Sequence, residues 1–154
     1  MISTCFRLLA AGLLLSACQT AGPAKLTGTG PTTPPASLRN TRWVLRQLGP
    51  DAVPPPTEGR EVDLQLRTDD TRVQGNAGCN RFSGTYEQPT PEQVRFSKLL
   101  TTRMACPALD TETRFLGALG QVSYFRIVGD TLRLYPGPPA ETTPLLRLEA
   151  VYTQ

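Results

Sequence analysis

This sequence predicts a mainly β (α+β) domain of about eight antiparallel strands with one helix, on three observations. Thirteen glycines and fifteen prolines break the chain into short runs, the punctuation of strands and turns. Within those runs apolar and polar residues alternate with period two, the pattern of strands with one buried face. One later stretch, residues 108–122, instead repeats its apolar residues at helical spacing.

The N-terminal residues lie outside that domain. Arg7 precedes an apolar run over residues 8–15, too short to span a bilayer, and Leu15-Ser16-Ala17-Cys18 follows. Residues 1–17 therefore read as a signal peptide. The ending resembles the bacterial lipobox, which implies cleavage before Cys18, a thioether-linked diacylglycerol on its sulfur and an acyl chain such as palmitate on the new amine. The alternative is a plain signal peptide with Cys18 incidental, and position, run length and box together weigh against it. Several acyl chains hold far more firmly than one, so a membrane partner through the N-terminal lipid is expected. Gln19, in place of Asp, resembles an outer-membrane address facing the periplasm. Residues 18–38 hold little that could be buried and are expected to form the acylated cysteine and a disordered Pro/Thr/Gly-rich tether. Its reach would be about 25 Å. The domain is placed at residues 39–154.

Strands begin at Thr41. Residues 41–48 set Trp43 and Leu45 on one side against Arg42, Val44 and Arg46 on the other, and stop at Gly49-Pro50. A proline-rich loop is expected next, with no strand partner close behind. Val62, Leu64 and Leu66 then alternate with Asp63, Gln65 and Arg67, and Asp69-Asp70 supplies a turn. The next run places Val73, Gly75 and Ala77 opposite Arg72, Gln74 and Asn76. After Asn80 the alternation restarts, with Phe82, Gly84 and Tyr86 facing one way and Arg81, Ser83 and Thr85 the other. Gly78-Cys79-Asn80 is therefore a bulge or corner between paired strands. Pro89 and Pro91 open a loop before Val94 and Phe96, and residues 99–107 read as irregular.

In the helical stretch, Pro107 suits a first turn, and Asp110 and Glu112 sit near the positive end of the helix dipole. Leu109, Phe115, Leu116, Leu119 and Val122 form a stripe predicted to lie on the sheet. Residues 124–128 and 131–135 flank Gly129-Asp130, a two-residue hairpin signal. Residues 145–152 make the last strand.

Two segments, Gly78-Cys79-Asn80-Arg81-Phe82-Ser83-Gly84-Thr85-Tyr86 and Thr102-Arg103-Met104-Ala105-Cys106, resemble the META-domain family of HslJ-like bacterial lipoproteins. The resemblance spans residues 38–152. It implies a compact antiparallel β-barrel-like domain with one inserted helix, and an association with stress response and the cell envelope. It carries over no catalytic residue. The motif positions are Gly78, Cys79, Asn80, Arg81, Phe82, Ser83, Gly84, Tyr86, Thr102, Met104 and Cys106.

The chemistry is narrowed by what the sequence lacks. With no histidine, the commonest general base, the His-activated nucleophiles and imidazole metal sites are absent, and neither cofactor nor metal is expected. Fourteen arginines against two lysines are scattered singly, which gives no support to nucleic-acid binding. Cys79 and Cys106 could be a reactive pair, a metal pair or a disulfide; an exported context favours the disulfide. Such a bond would close a loop of about 28 residues and add roughly 3.5 kcal/mol of stability. Asp69 and Asp70 could in principle do acid-base work, but adjacent residues point to opposite sides, and a turn explains them. Three classes of function follow: a non-enzymatic envelope lipoprotein with a protein partner, a carrier of an apolar ligand in a partly open barrel, and, least favoured, an enzyme. Trp43, Phe82, Tyr86 and Phe96 are large enough to fill a barrel of about eight strands, which favours the first.

Overall fold

Strand β1 (Arg42–Leu48) lies within one antiparallel sheet and is joined on one side by a strand that soon follows it and on the other by the last strand of the domain. The remaining elements are β2 (Asp51–Ala52), β3 (Asp63–Leu66), β4 (Arg72–Asn76), β5 (Arg81–Glu87), β6 (Arg95–Thr101), α1 (Leu109–Leu119), β7 (Tyr124–Val128), β8 (Thr131–Tyr135) and β9 (Leu146–Val151). They come from a computed structural model that describes residues 36–57, 59–102, 104 and 109–152. The expected lipidation site Cys18, the signal peptide, most of the tether, and Cys106 lie outside the described residues.

The strand order is β6-β5-β4-β3-β1-β9-β8-β7, with β2 also paired to β1. The sheet curls into a half-barrel with a helix against it. Its two terminal strands approach each other at one end. Gln93, just before β6, bridges Tyr124 of β7, and the Phe125 amide donates to the Glu92 carbonyl at 2.9 Å.

Alternation decides which side of each strand is buried. Trp43 and Leu45 of β1, Leu64 and Leu66 of β3, Val73 of β4 and Phe82 and Tyr86 of β5 all face the core. Leu132, Leu134, Leu146 and Leu148 supply the other half. Phe115 and Leu119 of α1 enter the same cluster, and the Phe115 ring meets Phe82 edge to face, 5.7 Å between centroids. This is a favoured aromatic geometry. The Trp43 indole donates to the Leu38 carbonyl at 3.1 Å, so the ring is buried without stranding its N–H. Among the described residues, the eight strands of that order and the one helix are as expected, and β2 is a ninth, short strand.

Several details depart from the sequence reading. Leu48 is followed by a turn through Gly49, at φ +59°, and β2 folds straight back, pairing Gln47 with Ala52 and Leu48 with Asp51. An immediate neighbour for β1 therefore exists where a loop was expected; two residues are too few for a visible alternation. The packed domain also begins earlier than residue 39. Ala36 and Leu38, assigned to the tether, are buried in the core, and the Ala36 amide donates to the Gly129 carbonyl at 3.2 Å. The stretch expected to be irregular after Leu99 belongs to β6 through Thr101. The helix ends at Leu119, where the chain tightens into i→i+3 bonds from Gln121 to Ala118 and from Val122 to Leu119. Leu109, counted on the apolar stripe, is exposed at the first turn.

Two bulges were not foreseen. Between Leu45 and Gln47 the register of β1 on β9 slips by one residue at Arg46, which returns Leu48 rather than Gln47 to the buried side opposite Leu146. In β6, Lys98 takes φ +52°, and the chain bulges opposite Gly84. A Cβ on Gly84 would lie 2.8 Å from the Ser97 carbonyl oxygen.

Candidate functional site

The motif hairpin is built by its polar side chains. β4 and β5 pair up to Asn76 and Arg81, and residues 77–80 form the tip, with Gly78 at φ +110°. The Asn76 carboxamide oxygen accepts from the Gly78 amide at 2.8 Å, and the Asp63 carboxylate accepts from the Asn76 amide at 3.3 Å. A side chain that mimics a backbone turn, beside a residue free to take positive φ, makes the corner.

Asn80 then ties this tip to two other elements. Its backbone amide donates to Glu112 Oε2 at 2.8 Å and its Nδ2 to Glu112 Oε1 at 3.1 Å. The same Nδ2 donates to the Met104 carbonyl, and its Oδ1 accepts from the Thr102 hydroxyl at 2.9 Å and the Met104 amide at 2.8 Å. Asn80 is 1% exposed and Glu112 5%. The cluster is closed on itself, and among the described residues no buried side-chain polar atom lacks a partner. Its chemistry is that of a clamp between β5, α1 and the segment leading into the helix.

The motif positions thus serve different ends. Phe82 and Tyr86 point into the core, and the Tyr86 hydroxyl donates to the Arg67 carbonyl at 2.6 Å. Gly84 permits close approach of β6, while Asn80, Thr102 and Met104 meet in the clamp. Arg81 and Ser83 face outward and are exposed. Cys79 Sγ lies 3.3 Å from the Met104 carbonyl oxygen; Cys106 is outside the described residues. Glu112 is the residue that sequence reasoning missed. As a first-turn acid it suits the helix dipole, but its spacing, three residues after Leu109 and three before Phe115, puts it on the apolar stripe, a local signal of burial; only its partner Asn80 is not legible from the sequence.

The paired carboxylates behave as a turn. Hydrogen bonding from the Arg67 guanidinium holds the exposed Asp69 carboxyl below its usual range, and Asp70 pairs with Arg72 at 3.4 Å. Both acids are committed to local cations at the β3–β4 connection.

The outer face of the sheet is polar. Arg42 pairs with Asp63 at 2.8 Å, and Arg46 with Glu61 at 2.9 Å and Glu149 at 3.2 Å. Hydrogen bonding to Glu61, partly offset by burial, raises the Arg46 guanidinium above its ordinary value. Val44, between the two arginines in β1, is fully buried. Further across, a groove of about 940 Å³ crosses β3, β4 and β5, lined by Arg60, Gln65, Gln74, Arg81, Ser83 and Leu100 among others. A smaller hollow of about 220 Å³ sits between Val53, the prolines at 54–56, Val62 and Thr111 at the start of α1. Among the described residues no group of three or more Cys, Asp or Glu is placed to hold a metal, and no helix is long and apolar enough to cross a membrane.

A curled antiparallel sheet, with a helix clamped to a glycine-rich hairpin and the motif side chains serving that clamp and the core, defines a small half-barrel β domain. The META domain description matches residues 36–152, and the chain belongs to that family. Two solved structures share the fold. A protein from Burkholderia xenovorans studied by NMR is 24% identical, with a TM-score of 0.59 over 80% of this chain and 98% of that one. A second NMR structure is 19% identical, with a TM-score of 0.55 over 73% of this chain and 90% of the other. No curated protein matches.

Proposed function

We infer that this protein is a lipid-anchored, non-catalytic META-domain lipoprotein of the cell envelope, held at the outer membrane by Cys18 and acting through its surface on another envelope component. The observation that carries this reading is the filled interior. Trp43, Phe115, Leu45, Leu64, Leu66, Leu132, Leu134 and Leu148 are at most 2% exposed, so side chains occupy the space where a carrier would hold its cargo. The groove of about 940 Å³ is lined largely by charged and amide side chains, unsuited to an apolar cargo, and the more apolar hollow holds about 220 Å³, below the roughly 300–1,000 Å³ of typical ligand pockets. The non-catalytic reading is supported by a sequence without histidine and by a buried carboxylate, Glu112, whose oxygens are already taken by Asn80. A Cys79–Cys106 disulfide belongs to the same reading. It is supported by the exported context and by Cys79 Sγ lying at the Met104 carbonyl, two residues before Cys106.

Fractionation and native mass spectrometry test it together. The full chain should sediment with membranes while Cys18→Ala does not, and the protein released from the membrane should carry no apolar mass beyond its own acyl chains. A non-covalent apolar molecule at near-unit stoichiometry would replace this reading with the carrier.

A further inference from the structure

We propose that the outer-face groove over β3, β4 and β5 binds a carboxylate-bearing oligosaccharide; this rests on the reading of the domain as an interaction module and names what its surface takes. Gln74 and Ser83 are cross-strand neighbours on the groove floor, and Arg81 lies two residues from Ser83 on the same face. Arg60 approaches from the loop before β3. Among the described residues, the side chains of Gln74, Ser83, Arg81 and Arg60 make no hydrogen bond or ion pair within the chain. They contrast with Arg42, also in the groove, which Asp63 and Glu61 neutralise at 2.8 and 3.6 Å.

Two unmatched guanidiniums beside an unused amide and hydroxyl set the ligand class. A guanidinium fork matches a carboxylate with two parallel hydrogen bonds. The amide of Gln74 and the hydroxyl of Ser83 both donate and accept, as sugar hydroxyls do. Leu100, opposite Ser83 and 70% exposed, offers an apolar surface to the C–H face of a sugar ring. Asp63 and Glu61 line the same groove but are paired with Arg42 and Arg46, which leaves the charge of Arg60 and Arg81 to an anionic ligand. A peptide fits less well. The backbones of β3, β4 and β5 are paired on both sides, so no strand can add there, and one exposed leucine provides no set of pockets for apolar anchors.

Calorimetric titration of the full chain at low ionic strength tests the assignment, with hexagalacturonate as probe, chitohexaose as the neutral sugar and hexaglutamate as the acidic peptide. Hexagalacturonate should bind, chitohexaose should bind far more weakly, and added salt should weaken the former. Arg81→Gln should weaken binding by about tenfold or more without lowering the melting temperature, as expected for a lost charge-assisted contact. Gln74→Ala should weaken it less, and Arg126→Gln, exposed on β7, should leave it unchanged. Absence of saturable binding at millimolar probe, full affinity in a folded Arg81→Gln protein, or tighter binding of hexaglutamate would each overturn the proposal. Failure here, with crosslinks to an envelope protein still formed, removes the saccharide and leaves the module reading standing. Shortened hexagalacturonate products would do the reverse, keeping the groove as a saccharide site and ending the non-catalytic reading.

Discussion

Asn80 concentrates more of the motif's energetics than any glycine beside it. Its side chain takes part in four hydrogen bonds, to Glu112, Thr102 and twice to Met104. Asn80→Ala would leave a buried carboxylate with one donor fewer and take the acceptor from the Thr102 hydroxyl and the Met104 amide, so stability should fall by about 3 kcal/mol. Urea titration should show a lower midpoint at unchanged slope; an unshifted midpoint would mean that water replaces the clamp without loss. Gly75 is a steric case. A Cβ there would sit 2.0 Å from the Asp63 carbonyl oxygen on the paired strand, where only backbone can yield. Gly75→Ala should therefore give little soluble folded protein, judged by the amide dispersion of its NMR spectrum. Asp69 marks the opposite extreme. Its folded pKa is depressed by Arg67, so its contribution is present above the unfolded pKa and is lost as pH falls through the folded one. Full exposure screens that contribution, and Asp69→Asn should leave the melting temperature at neutral pH unchanged.

Among the elements, α1 is the one whose two faces predict opposite outcomes. Gly117 looks into open space on the exposed side of the helix. Gly117→Ala should stabilise by up to about 1 kcal/mol through helix propensity, visible as a rise of roughly 4 °C in melting temperature. Phe115, fully buried against Phe82, should cost about 3–5 kcal/mol on truncation to Ala. The apolar spacing made this face legible, but not its limits. Leu109 falls in the stripe yet stays in solvent, while Glu112, three residues after Leu109 and three before Phe115, shares that face as a buried acid, because Asn80 arrives from a hairpin about thirty residues earlier in the chain to pair it.

For the whole molecule, the pairing of β1 with β9 is decisive. Arg42 meets Val151 and Trp43 meets Ala150, so the first and last strands join the two halves of the sheet. Deleting residues 145–154 would expose one side of both β1 and β8 and remove Leu146 and Leu148 from the core. That truncated chain should show no cooperative thermal transition by circular dichroism. A native-like transition would mean that the β1-to-β6 half is stable alone. Such long-range pairing also predicts folding on the millisecond-to-second scale typical of non-local β topologies.

Strand positions, inward faces, the Gly129-Asp130 hairpin and the family were all legible in the sequence, because alternation, turn chemistry and a glycine-rich motif are local signals. The β2 return, the bulges at Arg46 and Lys98, and the packing of Ala36 and Leu38 were not; each depends on a neighbouring strand supplied by a distant part of the chain. The outer groove belongs with them. Arg60, Gln74, Arg81 and Ser83 are unremarkable polar residues in one dimension, and only the register of β3, β4 and β5 sets them side by side with no partner of their own. The sequence alone determined which face most strands bury, with β1 beyond its bulge the exception; the tertiary structure decided what the exposed faces bring together, because cross-strand proximity is set by pairing and not by spacing along the chain.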